Sequence, residues 1–387
     1  MMQGNSIMED KKHAILSASS SHRWMNCPQS VRLSEGSQDV VSPYAAEGTD
    51  AHTLCEYKLR IALGLLKDNH PMPTLDWYSE EMEECANGYV AYVLELIEEV
   101  KKTCADPIIL IEQRLDYSRY VSDGFGTGDC VIIVDGIIHV IDYKHGQGVQ
   151  VEARENSQMM LYALGALELF DHLYEISDVS MTIYQPRRAN ISTFQMKTKD
   201  LYNWANNVLI PAAELAYNGE GDFKSGEWCQ FCRVKTTCRE RANANMMLAA
   251  LEFAEPALLR DEEIEEVLKK IDDLVEWAND VKAYALHSAI SGKKWTGFKL
   301  VEGRSVRKYV DDNIVATKVS AAGFDPYEKK LLGITEMQKL LGRSKFDELL
   351  SSYLIKPVGK PTLVLESDKR PEFNPAKADF MTNTEEN

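Results

Sequence analysis

One segment concentrates the groups able to do chemistry: GTGDCVIIVDGIIHVIDYKHGQG, residues 126–148. Asp135 and Gly136, set between two apolar runs, predict a two-residue hairpin turn. That turn places Val134 opposite Ile137 and, counting outward, Asp129 opposite Asp142. Two carboxylates facing each other on buried strands repel and cost stability, an objection that a divalent cation between them removes. Asp142 and Lys144 are two apart on one strand and so project from the same face. The pattern therefore aims two carboxylates and an ammonium at one point, an arrangement suited to phosphodiester hydrolysis. Carboxylates hold Mg²⁺ or Mn²⁺, which lowers the pKa of a bound water and stabilises charge on the phosphate. The lysine can orient or deprotonate that water, or offset the developing negative charge. A lone D-x-K is a common tripeptide of solvent-facing strand ends, so it is the opposed Asp129 that gives this one weight.

A second constellation is Cys229, Cys232 and Cys238, spaced C-x2-C-x5-C. Two thiolates at C-x-x-C spacing suit one metal centre, and the third closes on it after a short basic turn. The required fourth ligand has a natural candidate far upstream in Cys27, within WMNCP. Four thiolates suit Zn²⁺ as well as an iron–sulfur cluster, and their spacing does not separate the two. Cys55, Cys85, Cys104 and Cys130 sit in apolar patterns and read as ordinary buried thiols.

The elements that must position these groups follow from periodicity. Ser17 to Ser21 caps a short helix that Pro28 ends. Helical spacing runs from Ala45 to Leu65 (Ala51, Leu54, Cys55, Leu59, Ala62) and from Glu80 to Lys102 (Tyr89, Val90, Val93, Leu94, Ile97). Pro107–Leu115, Gly126–Val134 and Ile137–Tyr143 are short, β-branched and apolar on both faces, as buried strands are. A helix over Glu155–Phe170, strands over Val179–Tyr184 and Asn190–Met196, and a helix over Asp200–Tyr217 follow. This order predicts an α/β fold: a mixed central sheet flanked by helices on both faces. Beyond it, one long polar helix is expected over Asp261–Ile290. A small α+β region is expected over 296–370, with Phe298–Val301 and Arg307–Val310 as a hairpin. Residues 1–16 and 371–387 read as disordered tails, so the domains expected are 17–244, a helical segment over 245–295, and 296–370.

Composition narrows the function classes. The chain has 387 residues, 44% hydrophobic and 27% charged, an ordinary globular mixture. Its net charge is −17, and residues 1–244 alone hold 22 basic against 35 acidic side chains. Bulk attraction to a polyanion is thereby excluded, and any nucleic-acid contact must come from local groups or bound metal. No apolar run reaches the ~20 residues of a membrane span, and the start, MMQGNSIMEDKKH, lacks the apolar stretch of a secretory signal. Sparse cysteines and no signal point to a cytoplasmic protein.

Taken together, Gly48-x-x-x-His52, Asp129, Asp142-Tyr143-Lys144 and Gln158-x-x-x-Tyr162 resemble the RecB-type branch of the PD-(D/E)xK nucleases in order and spacing. The resemblance covers residues 17–244 and implies a restriction-endonuclease-like core. It implies that His52, Asp129 and Asp142 are metal ligands, with the Tyr143 carbonyl as a further one, and that Lys144 completes the catalytic set. Gln158 and Tyr162 would shape the nucleic-acid path, and Glu112, on the preceding strand, would support the site from behind the ligands. One early cysteine plus a late C-x2-C-x5-C resembles the iron–sulfur staple of AddB and the CRISPR-adaptation nucleases. That likeness implies a [4Fe–4S] cluster on Cys27, Cys229, Cys232 and Cys238, with Zn²⁺ as the alternative. The function so implied is a metal-dependent DNA nuclease, an exonuclease on single-stranded or duplex ends. Its setting would be phage or prophage recombination or replication in a bacterial host cell, with a recombination or single-strand-binding protein as a further partner. The rival expectation is a catalytically silent DNA-binding or assembly protein of the same fold. Arg187 and Arg188, after a strand end, are the expected grip on a DNA strand. Arg154, the turn carrying Arg233, Lys235, Arg239 and Arg241, and the cluster Arg304, Arg307 and Lys308 are weaker candidates.

Overall fold

The structure is a computed structural model that describes residues 14–35, 42–170, 172–249, 260–301, 309–327 and 331–355. It divides into two units, residues 1–288 and 289–387. The first unit opens with α1 (Ser21–Asn26) and α2 (Ser30–Ser34), then two long helices, α3 (Pro43–Ala62) and α4 (Glu80–Lys101). Ser42 and Ser79 cap the long helices by accepting from the amides of Ala45 and Met82. Three glutamates in the first turn of α4 suit the positive end of its dipole. Ala51, Leu54, Cys55 and Leu59 form the buried stripe of α3, and Met82, Ala86, Tyr89, Val93, Ile97 and Val100 that of α4, the spacing that a core-facing helix requires.

Five strands form one sheet in the order β1 (Ile108–Asp116), β2 (Phe125–Val134), β3 (Gly136–Tyr143), β4 (Ile176–Gln185) and β5 (Asn190–Lys197). Only β3 and β4 run parallel, and α5 (Ser157–Phe170) makes the crossover between them, as parallel neighbours demand. The β2–β3 hairpin has the expected register, Val134 opposite Ile137 and Cys130 opposite Ile141. Gly136 turns it at φ +89°, a conformation that L side chains rarely adopt. Helices cover both faces of the sheet. On one, α5 packs Leu161, Leu164 and Leu167 against Val131, Ile133, Val140 and Met181. On the other, α3 and α4 bury Leu54, Tyr89 and Val93 against Ile132, Ile141 and Tyr143. The expected mixed sheet flanked by helices is therefore the fold observed. α6 (Thr198–Trp204) and α7 (Ile210–Asn218) are joined by one π turn where a single helix was expected.

Two expectations need correction. The long polar helix is two, α9 (Asp261–Leu268) and α10 (Ile271–Ile290), after α8 (Arg239–Ala249). At the break the Lys270 amide bonds to the carbonyl of Val267, three residues back. In the second unit the described residues hold α11 (Asp312–Ala321), α12 (Ile334–Leu341) and α13 (Arg343–Leu350), and no strand. Residues 298–301 and 309–310 of the expected hairpin are described but form no ladder. Phe298, Val301 and Val310 are exposed, so no sheet face is buried that would hold one. Arg304, Arg307, Lys308, most of residues 1–16 and all of 371–387 lie outside the described residues. Among those described, no helix is long and apolar enough to cross a membrane.

Candidate metal centre

The β2–β3 ladder stops at Cys130–Ile141, one rung short of Asp129 and Asp142. Asp129 does not continue it through its backbone. Its Oδ2 accepts the amide of Tyr143 at 2.6 Å, so a carboxylate takes the place of a ladder carbonyl and the strands part around it. On the other side of β2 the ladder with β1 pairs Ile111 with Cys130 and Gln113 with Gly128, but omits the rung between them. That rung belongs to Glu112 and Asp129. Glu112 is left-handed, φ +51°, rare for a residue with a long side chain. Its effect on the strand is visible in the packing: Ile111 joins the α3/α4 core, whereas Leu115, four residues on, joins the α5 core. Glu112, Asp129 and Asp142 thus occupy one line across three adjacent strands.

His52, on α3, closes over this line. Its Nδ1 lies 3.1 Å from Asp129 Oδ1, and its ring meets the Tyr143 ring edge-on at 5.5 Å. Ligand atoms of His52, Glu112 and Asp129 all lie within 4.8 Å of one another. Beside them, Lys144 Nζ is 2.8 Å from Asp142 Oδ2. That oxygen is enclosed, and the Lys144 ammonium is the partner it faces. The Gln158 amide nitrogen donates to Asp142 Oδ1 and to the Tyr162 hydroxyl, both at 3.2 Å, while its oxygen accepts from Lys144 at 3.1 Å. Gly126 leaves room for the Tyr162 ring, since a Cβ there would fall 2.6 Å from a ring carbon.

The electrostatics describe a site short of positive charge. Burial disfavours the imidazolium of His52, yet the Asp129 carboxylate outweighs burial and raises the group to about 9. Burial, then Asp129, pushes Glu112 up to about 7. Asp142 is also raised by burial, which Lys144 offsets only in part. Lys144 is raised in turn, because Asp142 outweighs the burial of the ammonium. Asp129 alone is lowered: burial opposes its charge, but His52 and the Tyr143 amide overcome it. Four of the five groups hold their protons more tightly than usual, as expected where carboxylates crowd without a cation.

Of the residues the sequence singled out, His52 and Asp129 fall in one group with Glu112, while Asp142 and Lys144 pair with each other beside it. Glu112 stands within the ligand group rather than behind it. Tyr143 enters through its amide and its ring. Gln158 and Tyr162 are held inside the site, Tyr162 being only 6% exposed. Two cations expected at a DNA strand have protein partners: Arg187 is paired with Glu47 and Glu81, and Arg188, which is exposed, donates to the Gln147 carbonyl. Arg154 lies over the Phe194 ring at 5.0 Å.

The family described as Protein of unknown function (DUF2800) matches residues 13–371. The chain belongs to this family. Among solved structures, this DUF2800 chain is similar to the one titled "Crystal structure of SSO0001", at 13% identity, over 57% of this chain and 96% of that one, with a TM-score of 0.21.

In this DUF2800 protein the cysteine segment lies against the N-terminal helix. His22 of α1 meets the Trp228 ring edge-on at 5.7 Å, and Cys27 Sγ accepts the Lys224 amide at 3.5 Å. Cys27, Cys229 and Cys232 are buried, Cys238 is half-buried, and all four are free thiols. Lys235 and Arg241, which flank Cys238, both pair with Asp280 of α10.

Proposed function

We propose that this protein is a metal-dependent deoxyribonuclease of the RecB-type PD-(D/E)xK class. The observation that carries the reading is the line of Glu112, Asp129 and Asp142 across three strands, with His52 above it and Lys144 at its end. Carboxylate oxygens and an imidazole are the donors that Mg²⁺ or Mn²⁺ takes. The convergence of His52, Glu112 and Asp129 ligand atoms and the raised proton of Glu112 support a resident cation. His52, Glu112 and Asp129 would hold it, with Asp142 alongside. When bound, it supplies an activated water and neutralises charge on the phosphate. The protein's own groups do the positioning. Asp129 is fixed by the Tyr143 amide, and Gln158 holds Lys144 and Asp142 in register by bonding to both. Lys144 presents an ammonium where negative charge develops on the phosphate, or orients the attacking water.

The same reading assigns Cys27, Cys229, Cys232 and Cys238 to a [4Fe–4S] cluster, with Zn²⁺ as the alternative. Their thiols have the donor chemistry of either, although among the described residues no three of them come within ligand distance of one another. The substrate would be single-stranded DNA or duplex ends, and the setting phage or prophage recombination or replication in a bacterial cell. The test is cleavage of 5′- and 3′-labelled DNA with Mn²⁺. Asp129→Ala and Lys144→Ala should abolish it while leaving thermal unfolding cooperative. Cleavage by either variant refutes the assignment, and Mn²⁺ binding without cleavage by the wild type leaves the silent binding module.

A further inference from the structure

Arg187 is half-buried and fully engaged by carboxylates. It sits on the short turn Pro186–Arg188 between β4 and β5, its side chain only 16% exposed. Its Nε and Nη2 donate to the two oxygens of Glu81 at 3.2 and 3.1 Å, and Nη1 donates to Glu47 Oε1 at 3.0 Å. The same Glu47 oxygen lies 3.4 Å from Nε2 of His145, a buried ring. Nδ1 of that ring is 2.8 Å from the Tyr143 hydroxyl. One guanidinium thus joins α3 through Glu47, α4 through Glu81 and, by way of His145, the end of β3.

What this network holds is legible in the burial of α3. No residue from Pro43 to Asp50 is buried, and Ala51 is the first that is. The opening two turns therefore have no apolar anchor, and His52 follows directly on them. Polar ties at Glu47, and at Asp50 through the Trp77 amide at 2.8 Å, stand in for a core. We propose that Arg187 is a positioning residue that holds the first half of α3, and with it His52, against the end of β3. A planar fork satisfying two carboxylates at once is a task that lysine cannot copy at equal charge. The proposal rests on the metal-centre reading for its consequence, but not for the restraint itself.

The experiment uses the full chain, wild type against Arg187→Lys, Arg187→Gln and His145→Gln. Two readouts are taken: hydrogen exchange of residues 43–52 without metal, and Mn²⁺ affinity by calorimetry. Arg187→Lys should speed exchange across 43–52 and weaken Mn²⁺ by about 10–100-fold, the usual effect of losing a group that orients a ligand. His145→Gln cuts the network at its other end and should act in the same direction, which keeps the test decisive if an Arg187 variant fails to fold. Wild-type exchange and Mn²⁺ affinity in Arg187→Lys overturn the proposal. So does an Arg187→Gln variant whose only defect is a DNA-binding salt slope reduced by about one phosphate contact. If the wild type takes no Mn²⁺, the metal reading fails, and the exchange data alone decide the restraint.

Discussion

Metal binding at this site should release protons, and the number is set by the groups that hold them. A cation takes imidazole and carboxylate in their unprotonated forms. His52 is raised to about 9 and Glu112 to about 7. The metal-free site then carries about 1.9 displaceable protons at pH 6, about 1.5 at pH 7 and about 1 at pH 8. Because the slope of log affinity against pH equals the protons released, Mn²⁺ should bind about a thousandfold more tightly at pH 8 than at pH 6. Calorimetric titration in two buffers of different ionisation enthalpy reads the count directly, and His52→Asn should lower it by about one at pH 7. An affinity flat across this range, or a release below about half a proton at pH 7, refutes the geometry argued for His52 and Glu112.

The same shifts set the pH response of the metal-free fold. The folded value of His52 lies above its ordinary 6.5, so its contribution is full below that value and fades as pH climbs through about 9. Glu112 lies above its ordinary 4.5, so it favours the folded state at low pH and ceases to do so between there and about 7. Both act in one direction. Metal-free protein should lose stability from about pH 5 to 9, and saturating Mn²⁺ should restore it most at the alkaline end.

Two further predictions concern the residues that depart from ordinary usage. Glu112→Gly removes a half-buried carboxyl and a left-handed side chain, so metal-free stability in urea should hold or rise by about 1 kcal/mol while Mn²⁺ affinity falls; a clear loss of stability would contradict the strain assigned to φ +51°. Protein purified anaerobically should carry iron and absorb near 400 nm, and Cys229→Ser should lose both. Stoichiometric zinc instead would select the alternative, and neither metal would leave the four thiols without a shared role.

Much of the centre was legible because one turn fixed one register. Asp135 and Gly136 fix how β2 meets β3, and so the register up to Cys130 and Ile141 followed from counting, the ladder ending one rung before Asp129 and Asp142. Glu112 escaped the same count. The link from β1 to β2 runs from Tyr117 to Gly124, too long a connection to specify pairing. Nothing in the letters IILIEQRLD announces a left-handed residue in mid-strand. His52 was visible only through a resemblance, since a histidine between Ala51 and Thr53 on a helix has no periodic signature. The partners of Arg187 were not legible for a physical reason: a double arginine at a strand end looks solvated until Glu47 and Glu81, from helices far back in the chain, arrive beside it. Of the hairpin expected near residue 300, the described residues 298–301 and 309–310 form no strand, and Phe298, Val301 and Val310 are exposed.

Charge is where these observations meet. A core with 35 acidic and 22 basic side chains has little to offer a phosphate backbone, and the structure reduces that little further. Arg187 is bound to two glutamates, Lys235 and Arg241 to Asp280, and Arg188 to a backbone carbonyl. Cations already paired with carboxylates gain little from an incoming phosphate, because the first partner must be given up. Under the proposed reading, the line of Glu112, Asp129 and Asp142 is itself the largest local source of repulsion, and neutralising it changes the field at the place where the scissile phosphate must lie. The cation would then serve binding as much as chemistry. Lys144 is no exception, since its ammonium is already paired with Asp142, so under this reading the cation is the site's main unpaired positive charge.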